Sequence, residues 1–330
     1  MADAGGVNAG TLRPLVVWRL LDGKPGHESQ SLGLARALER LTSVSVHDLP
    51  VRDIAAGPFG WLLRRFPAGR DLPDPDLIIG AGHATHWPLL CARRARGGRA
   101  VVLMKPSLPK RWFDRVVAPE HDGVRPGGNV IVTRGVLNAM RPGKKVPGSV
   151  LVMVGGESRH FIWDDARMLA QIRAVMAQWP EACLTDSRRT PAGCRRGLAG
   201  DYGEAYYPWE KCPAGWLAGR LAVTEMAWVS EDSVSMVYEA LSAGCAVGLL
   251  SLPAAGRGRL VRGLQALEQD GLVTPMMHAG SGCRPVLAGK ALNARASLTR
   301  DSSAGLAERA ATADQNRRKF KETKMPKMKT

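Results

Sequence analysis

Short apolar runs recur along this chain, each followed by a loop of small or polar residues and then by a helical pattern. LVVWRLL (15–21), Ser43 to Leu49, DLIIG (76–80), RAVVLM (99–104), DRVVA (114–118) and NVIVT (129–133) are the runs of the first half. SVLVMV (149–154), EACLTD (181–186), Glu225 to Val229 and Cys245 to Leu250 repeat the pattern in the second. Apolar runs of about four to eight residues, separated by helices, read as strands buried on both faces. Parallel βαβ units satisfy that pattern, so the chain reads as α/β with two Rossmann-like domains whose parallel sheets face a central cleft.

The helices are placed by their punctuation. Ser29 is expected to cap a helix carrying Leu32, Leu34, Ala35, Leu38 and Leu41. Others are expected up to Arg96, over Asp164 to Gln178, and over Val234 to Ala243 with Gly244 as the stop. A length of 330 residues suits roughly two domains of about 150 residues each. Arg134 to Gly148 is rich in Pro, Gly and Lys, which suits an interdomain connector. The reading assigns 1–138 to an N-terminal acceptor domain, 139–148 to the linker, 149–302 to a C-terminal nucleotide-sugar domain, and 303–330 to a terminal helix and basic tail.

Charge limits the partners. The net charge is +16, and Arg317 to Thr330 holds seven basic residues against the acid Glu322. A basic body suits anionic partners such as phosphates, nucleotides and anionic lipid, or is a solvated face without a partner. Aromatic residues are only 5% and no RNP-type run is present, so nucleic acid is not expected as a partner. The six cysteines form no Cys-x-x-Cys and no His pair has finger spacing, so no zinc site is expected. No apolar run reaches about 18 residues and Met1 to Gly10 lacks a signal pattern. A cytoplasmic protein is expected, with the inner face of the membrane as an alternative address.

Four loops at strand ends carry the candidate chemistry. In the first, DGKPGHE (22–28), Gly23 and Gly26 permit close backbone approach and His27 is placed as a general base. A tight turn with a surface histidine is the plainer reading. In the second, GAGHATH (80–86), Gly82, His83 and Thr85 sit at a helix start, where an acceptor or phosphate can be held. The plainer reading has Thr85 as a cap and His86 packed on the helix. Lys105, after the fourth run, is a similar acceptor-side candidate.

In the third loop, GGESRHF (155–161), Gly155 and Gly156 offer free backbone N–H groups to a diphosphate, Ser158 adds a hydroxyl, and Arg159 or the later Arg188-Arg189 pair neutralises charge. In the fourth, SEDSVSMVYEAL (230–241), Ser233 and Ser235 open a helix whose amides favour phosphate. Glu239 follows Ser235 by one helical turn, on the same face, where a carboxylate grips ribose hydroxyls. An ordinary N-cap at Asp232 or Ser233, with a solvated Glu239, is the alternative.

DGKPGHESQSLGLARAL, IIGAGHATHWPLL, VVLMKPSLPKRWFDRVVAPEHD, VMVGGESRHFIWD, LTDSRRTP and WVSEDSVSMVYEALSAGCAV together resemble the bacterial mitochondrial fission protein-like family. The resemblance runs from about Leu15 to Leu250 and implies a GT-B fold with a nucleotide-sugar cleft. It implies that Glu239 holds the donor ribose. The first loop is also similar to the Gly-rich loop of the enzyme that adds N-acetylglucosamine to lipid-linked peptidoglycan precursors, which implies His27 as base. This chain has Gly23-Lys24-Pro25-Gly26 where that loop has three glycines.

The resulting expectation is an inverting transferase without cofactor or metal. Asp22 and His83 are the alternative bases, and there is no Asp-x-Asp to hold a metal. The acceptor is expected to be lipid-linked or a cell-envelope glycan. PFGWLLRRF (58–66) is either a surface that meets anionic lipid or a core-packed helix with two exposed arginines. Two other functions stay open: a non-enzymatic adaptor using the same shell, and a nucleotide-sugar epimerase. An NAD-type epimerase would need a Gly-rich loop that residues 22–28 do not provide.

Overall fold

The computed structural model describes residues 13–54, 56–276 and 285. The expected terminal helix, the basic tail and Cys283 lie outside them.

The first lobe comprises β1 (Leu15–Leu21), α1 (Pro25–Glu39), β2 (Val44–Pro50), α2 (Pro58–Leu62), β3 (Leu77–Ala81), α3 (His86–Arg96), β4 (Arg99–Leu103), β5 (Arg115–Pro119) and β6 (Val130–Thr133). The second comprises β7 (Val146–Met153), α4 (Asp165–Gln178), β8 (Cys183–Thr185), α5 (Ala192–Tyr202), β9 (Tyr206–Tyr207), α6 (Trp216–Val223), β10 (Thr224–Ser230), α7 (Val234–Ser242), β11 (Ala246–Leu250), α8 (Arg259–Gln269) and β12 (Val273–Pro275).

Each lobe is built on one six-stranded sheet, ordered β2-β1-β3-β4-β5-β6 and β12-β11-β10-β7-β8-β9. All strand pairings are parallel. Strand order therefore reverses between β1 and β3 in the first lobe, and between β7 and β10 in the second. The crevice beyond the carboxyl ends of strands at such a reversal is where an open α/β sheet accepts ligands.

Burial follows the apolar runs. Trp18, Ile78, Ile79 and Leu103 are fully buried in the first lobe, and Leu151, Met153 and Trp228 in the second. Both faces of these strands are covered, which is why the runs are continuous rather than alternating.

Three expectations change. α1 starts at Pro25 rather than after Ser29. Proline suits the first helical turn, where its missing N–H would be unpaired anyway, so His27 and Glu28 enter the helix. The last residues of the expected linker, Val146 to Gly148, open β7, where the register against β10 shifts between Thr224 and Met226. That irregularity accommodates Pro147 and Gly148 (φ +75°) inside a strand. Finally, residues 58–66 are not a core-packed helix. Phe59, Leu62 and Leu63 are 81%, 65% and 61% exposed.

The connector is packed on both lobes. A Cβ on Gly33 of α1 would collide with the Asn138 backbone, and one on Gly135 with the Tyr238 ring of α7. Asn138 Nδ2 donates to Ser242 Oγ at 3.0 Å. Lys145 Nζ donates to Leu221 O (2.9 Å) and Ala243 O (2.6 Å), placing a cation at the carbonyl ends of α6 and α7.

Candidate functional site

In the first lobe, the loops after β1 and β3 meet at the strand-order reversal. Asp22 follows β1, and its side chain is only 2% exposed. His27 stands in the first turn of α1, with Nδ1 at 2.7 Å from Asp22 Oδ2. The other carboxylate oxygen of Asp22 accepts from Lys24 N at 3.2 Å. Gly23 N donates to Glu28 Oε1 at 3.1 Å, closing the turn. Gly82, after β3, has φ +81°, and a Cβ there would collide with the His27 ring. Asp22, His27 and Gly82 thus form one cluster: a buried carboxylate, a half-buried imidazole, and a bare backbone beside it.

A carboxylate at Nδ1 puts the proton on that nitrogen and leaves Nε2 as the free base. This is the arrangement a general base needs. Asp22 positions the histidine.

The remaining acceptor-side candidates separate. Thr85 is fully buried and its hydroxyl donates to Gly82 O at 2.7 Å, so it ties its own loop rather than facing a ligand. His83 and Lys105 are exposed, and Gly26 lies in the open first turn of α1. His86 packs inside, with Nδ1 3.0 Å from Ser107 Oγ, and burial lowers its pKa to about 4. It is a neutral structural residue.

In the second lobe the glycine pair has a different role from the expected one. Gly155 N donates to Ser230 Oγ at 2.7 Å, and Gly156 N to Asp232 Oδ2 at 2.8 Å. Those amides are occupied and do not present themselves to a diphosphate. A Cβ on Gly155 would strike the Asp232 carboxylate, and one on Gly156 the Arg189 backbone. Glycine is needed here so that the loops after β7, β8 and β10 can approach each other.

Arg189 completes that clasp. Its guanidinium donates to Asp232 Oδ2 (2.8 Å), Gly156 O (3.0 Å) and Glu157 O (2.8 Å). Burial raises the pKa of Asp232, while the Gly156 amide and Arg189 oppose the shift. The clasp was not legible as such in the sequence, because residues 156, 189 and 232 meet only through the sheet.

Around it stand the polar groups free to take a ligand. Ser233 is buried immediately before α7, and Ser235 is exposed on its first turn. Among the described residues, the Ser233 hydroxyl and the Glu239 carboxylate have no hydrogen-bond partner. Burial alone raises the pKa of Glu239 to about 7. Arg188 is exposed, Arg159 lies against His160 with Nε 3.2 Å from Nε2, and Ser158 Oγ accepts from His160 N at 3.3 Å.

The lobes also touch. His121 stacks on Tyr238 with ring centroids 6.4 Å apart. Arg259 Nη1 lies 3.6 Å from Asp122 Oδ1, and Arg134 pairs with Asp270. His121, Arg134, Tyr238, Arg259 and Asp270 border a cavity of about 320 Å³ between the lobes. His121 and Tyr238 lay within two of the recognisable sequence blocks, but nothing in their spacing marked them as neighbours.

The family described as mitochondrial fission ELM1 matches residues 25–319, beyond the stretch over which the resemblance was legible. No curated protein matches the chain. Among solved structures, a Listeria monocytogenes protein assigned as a UDP-N-acetylglucosamine 2-epimerase is similar over 94% of this chain and 98% of its own, with 13% identity and a TM-score of 0.56. A second UDP-N-acetylglucosamine 2-epimerase is similar over 97% of this chain and 100% of its own (12% identity, TM-score 0.53). The calicheamicin glycosyltransferase CalG4 covers 92% of this chain and 98% of its own (16% identity, TM-score 0.48). The chain has a two-lobed GT-B fold, and over nearly its whole length it is similar in fold to the two epimerases.

Proposed function

This chain belongs to the mitochondrial fission ELM1 family, and on that premise we propose that it is an inverting, metal-independent glycosyltransferase moving a sugar from a nucleoside-diphosphate donor to a lipid-linked or cell-envelope glycan acceptor. The observation that carries this reading is the His27–Asp22 pair (2.7 Å) at the strand-order reversal of the first lobe. A base in that lobe suits deprotonation of an acceptor hydroxyl.

In the proposed step, His27 Nε2 takes the acceptor hydroxyl proton. The acceptor oxygen attacks the anomeric carbon from the face opposite the leaving nucleoside diphosphate, so one bond forms as the other breaks and configuration inverts. The imidazolium that forms is stabilised by the buried Asp22 carboxylate. On the donor side, the Ser233 hydroxyl and the amides opening α7 hold the diphosphate, with Ser235 and Arg188 beside them. Glu239 accepts from the ribose hydroxyls. The clasp of Gly155, Gly156, Asp232 and Arg189 supports that site from beneath. Metal independence is supported by the positive helix end and arginine, which offset leaving-group charge.

A thermal-shift screen against uridine, guanosine, cytidine and adenosine nucleotides and their sugars, with EDTA and then with Mg²⁺, tests the donor side. Selective stabilisation by one diphosphate in EDTA, lost in Glu239→Ala, is expected. No shift with any nucleotide overturns the transferase reading in favour of an adaptor. Product analysis tests the rest: sugar joined to acceptor is expected, whereas an altered nucleotide sugar formed without acceptor means epimerisation.

A further inference from the structure

A cavity of a different character lies on the outer side of α3. It measures about 800 Å³ and is lined by Trp61 and Leu62 of α2, Trp87, Leu90 and Arg94 of α3, and Trp112. Three indoles and two leucines make it an apolar groove. Beside it, Phe59, Leu62 and Leu63 stand in solvent. Exposed aromatic and aliphatic groups clustered this densely mark a binding surface.

The patch is anchored. Phe66, just beyond it, is buried and stacks on Trp18 at 5.8 Å. Cys91 Sγ of α3 donates to Gly57 O at 3.5 Å, at the start of α2. Arg64 adopts a left-handed conformation (φ 54°) that ends the helix turn. The surface is thus held in shape by its surroundings.

Its rim is cationic. Arg94 and Arg111 line the groove and Arg64 and Arg65 follow the exposed Leu63 in the chain; all four are exposed, and none has an ion-pair partner among the described residues. Arg94 lies over the Trp61 ring at 5.1 Å, bringing a guanidinium to the mouth of the groove. Indoles under a cationic rim match the boundary between lipid headgroups and acyl chains, where amphipathic aromatic rings and arginines both find partners.

We propose that this face docks on an anionic phospholipid bilayer, with Phe59, Leu62 and Leu63 inserted below the headgroups, one acyl chain in the tryptophan-lined groove, and the arginines on lipid phosphates. Charge complementarity selects this occupant: an apolar protein partner does not require four unpaired arginines. α3 links the groove to the crevice: its first turn carries Trp87 and begins just after the loop at Gly82, which packs against His27. This deepens the acceptor side of the proposed function, and its test needs no donor.

The test is co-sedimentation of the full chain with vesicles of phosphatidylcholine, alone or containing phosphatidylglycerol. Binding to the anionic vesicles and weak binding to the neutral ones are expected. Phe59→Ser with Leu62→Ser should lower the partition coefficient about tenfold or more, with unchanged melting temperature and nucleotide response. Tryptophan emission should be quenched by lipids brominated on their acyl chains, and less in the double variant. Unchanged binding in the double variant overturns the proposal and assigns any binding to basic segments elsewhere. Equal binding to both vesicle types overturns the arginine contacts. Absence of binding to any vesicle overturns the proposal in favour of a protein partner. A failure of nucleotide binding alone would instead count against the transferase reading.

Discussion

Asp22, directly after β1, and His27, in the first turn of α1, share a hydrogen bond of 2.7 Å. The Asp22 side chain is buried and that of His27 only partly so, so the carboxylate holds a ring that stays partly accessible. Asp22→Asn should keep the fold and nucleotide response while lowering kcat about 10²–10⁴-fold, because the amide no longer holds the base tautomer. Steady-state kinetics should place the loss in kcat with little change in donor KM. An unchanged kcat would remove Asp22 from its positioning role.

Gly82→Ala tests the same cluster from the other side. At φ +81° a side chain is strained by about 1 kcal/mol or more, and its methyl would displace the His27 ring. Turnover should collapse with a small loss of melting temperature. Nucleotide stabilisation, assigned by the proposal to the other lobe, should persist in the thermal-shift assay.

Glu239 makes stability depend on pH. Its pKa is raised from 4.5 to about 7 by burial, so the folded state retains a proton that the unfolded state releases. Stability of the free protein should therefore fall as pH rises through that interval. Glu239→Gln removes the penalty and should stabilise the free protein by about 1–3 kcal/mol at pH 8, with little effect near pH 4. Chemical denaturation at the two pH values measures the difference. Wild-type nucleotide affinity should rise over the same interval as the carboxylate becomes available to ribose.

Arg188 and Arg189 are adjacent but should behave oppositely. Arg189→Ala leaves the buried Asp232 without its cation, although the Gly156 amide still reaches it, and should cost about 1–3 kcal/mol. Arg188 is exposed, and Arg188→Ala should change stability by under about 0.5 kcal/mol while weakening nucleotide binding. Denaturation and nucleotide titration of the two variants distinguish support from contact.

Lys145→Met tests the joint between connector and second lobe. The ammonium serves the ends of both α6 and α7, through Leu221 O and Ala243 O. Its removal should cost about 1–3 kcal/mol by denaturant unfolding, because carbonyls lose a charged donor. The nucleotide response should remain if the α7 N-terminus keeps its place.

Most strands were legible because a buried strand is a local run of apolar residues: β1 occupies Leu15–Leu21 as its sequence indicates, whereas the short β9 (Tyr206–Tyr207) and β12 (Val273–Pro275) carry no such run and were not legible. The stop of α7 was equally local, since Gly244 adopts φ +79° just beyond the helix. Pro25 was harder. A proline both breaks loops and opens helices, and only the structure shows it opening α1. The segment 58–66 carried the same ambiguity, since apolar residues in a row do not reveal whether another element covers them. Here nothing described covers Phe59.

Local sequence accounts for the alternation of strands and helices, the two-lobed plan, the place of His27 soon after β1, and the place of Glu239 one turn beyond Ser235 on α7. These are properties of neighbouring residues: apolar runs, turn formers and helical spacing. The tertiary structure alone decided that the Gly155 and Gly156 amides serve Ser230 and Asp232, that Arg189 locks that clasp, and that Gly82 lies against His27. Those contacts cross between parallel strands far apart in the chain. Sheet order brings them together, and no local pattern of residues encodes which loops will become neighbours.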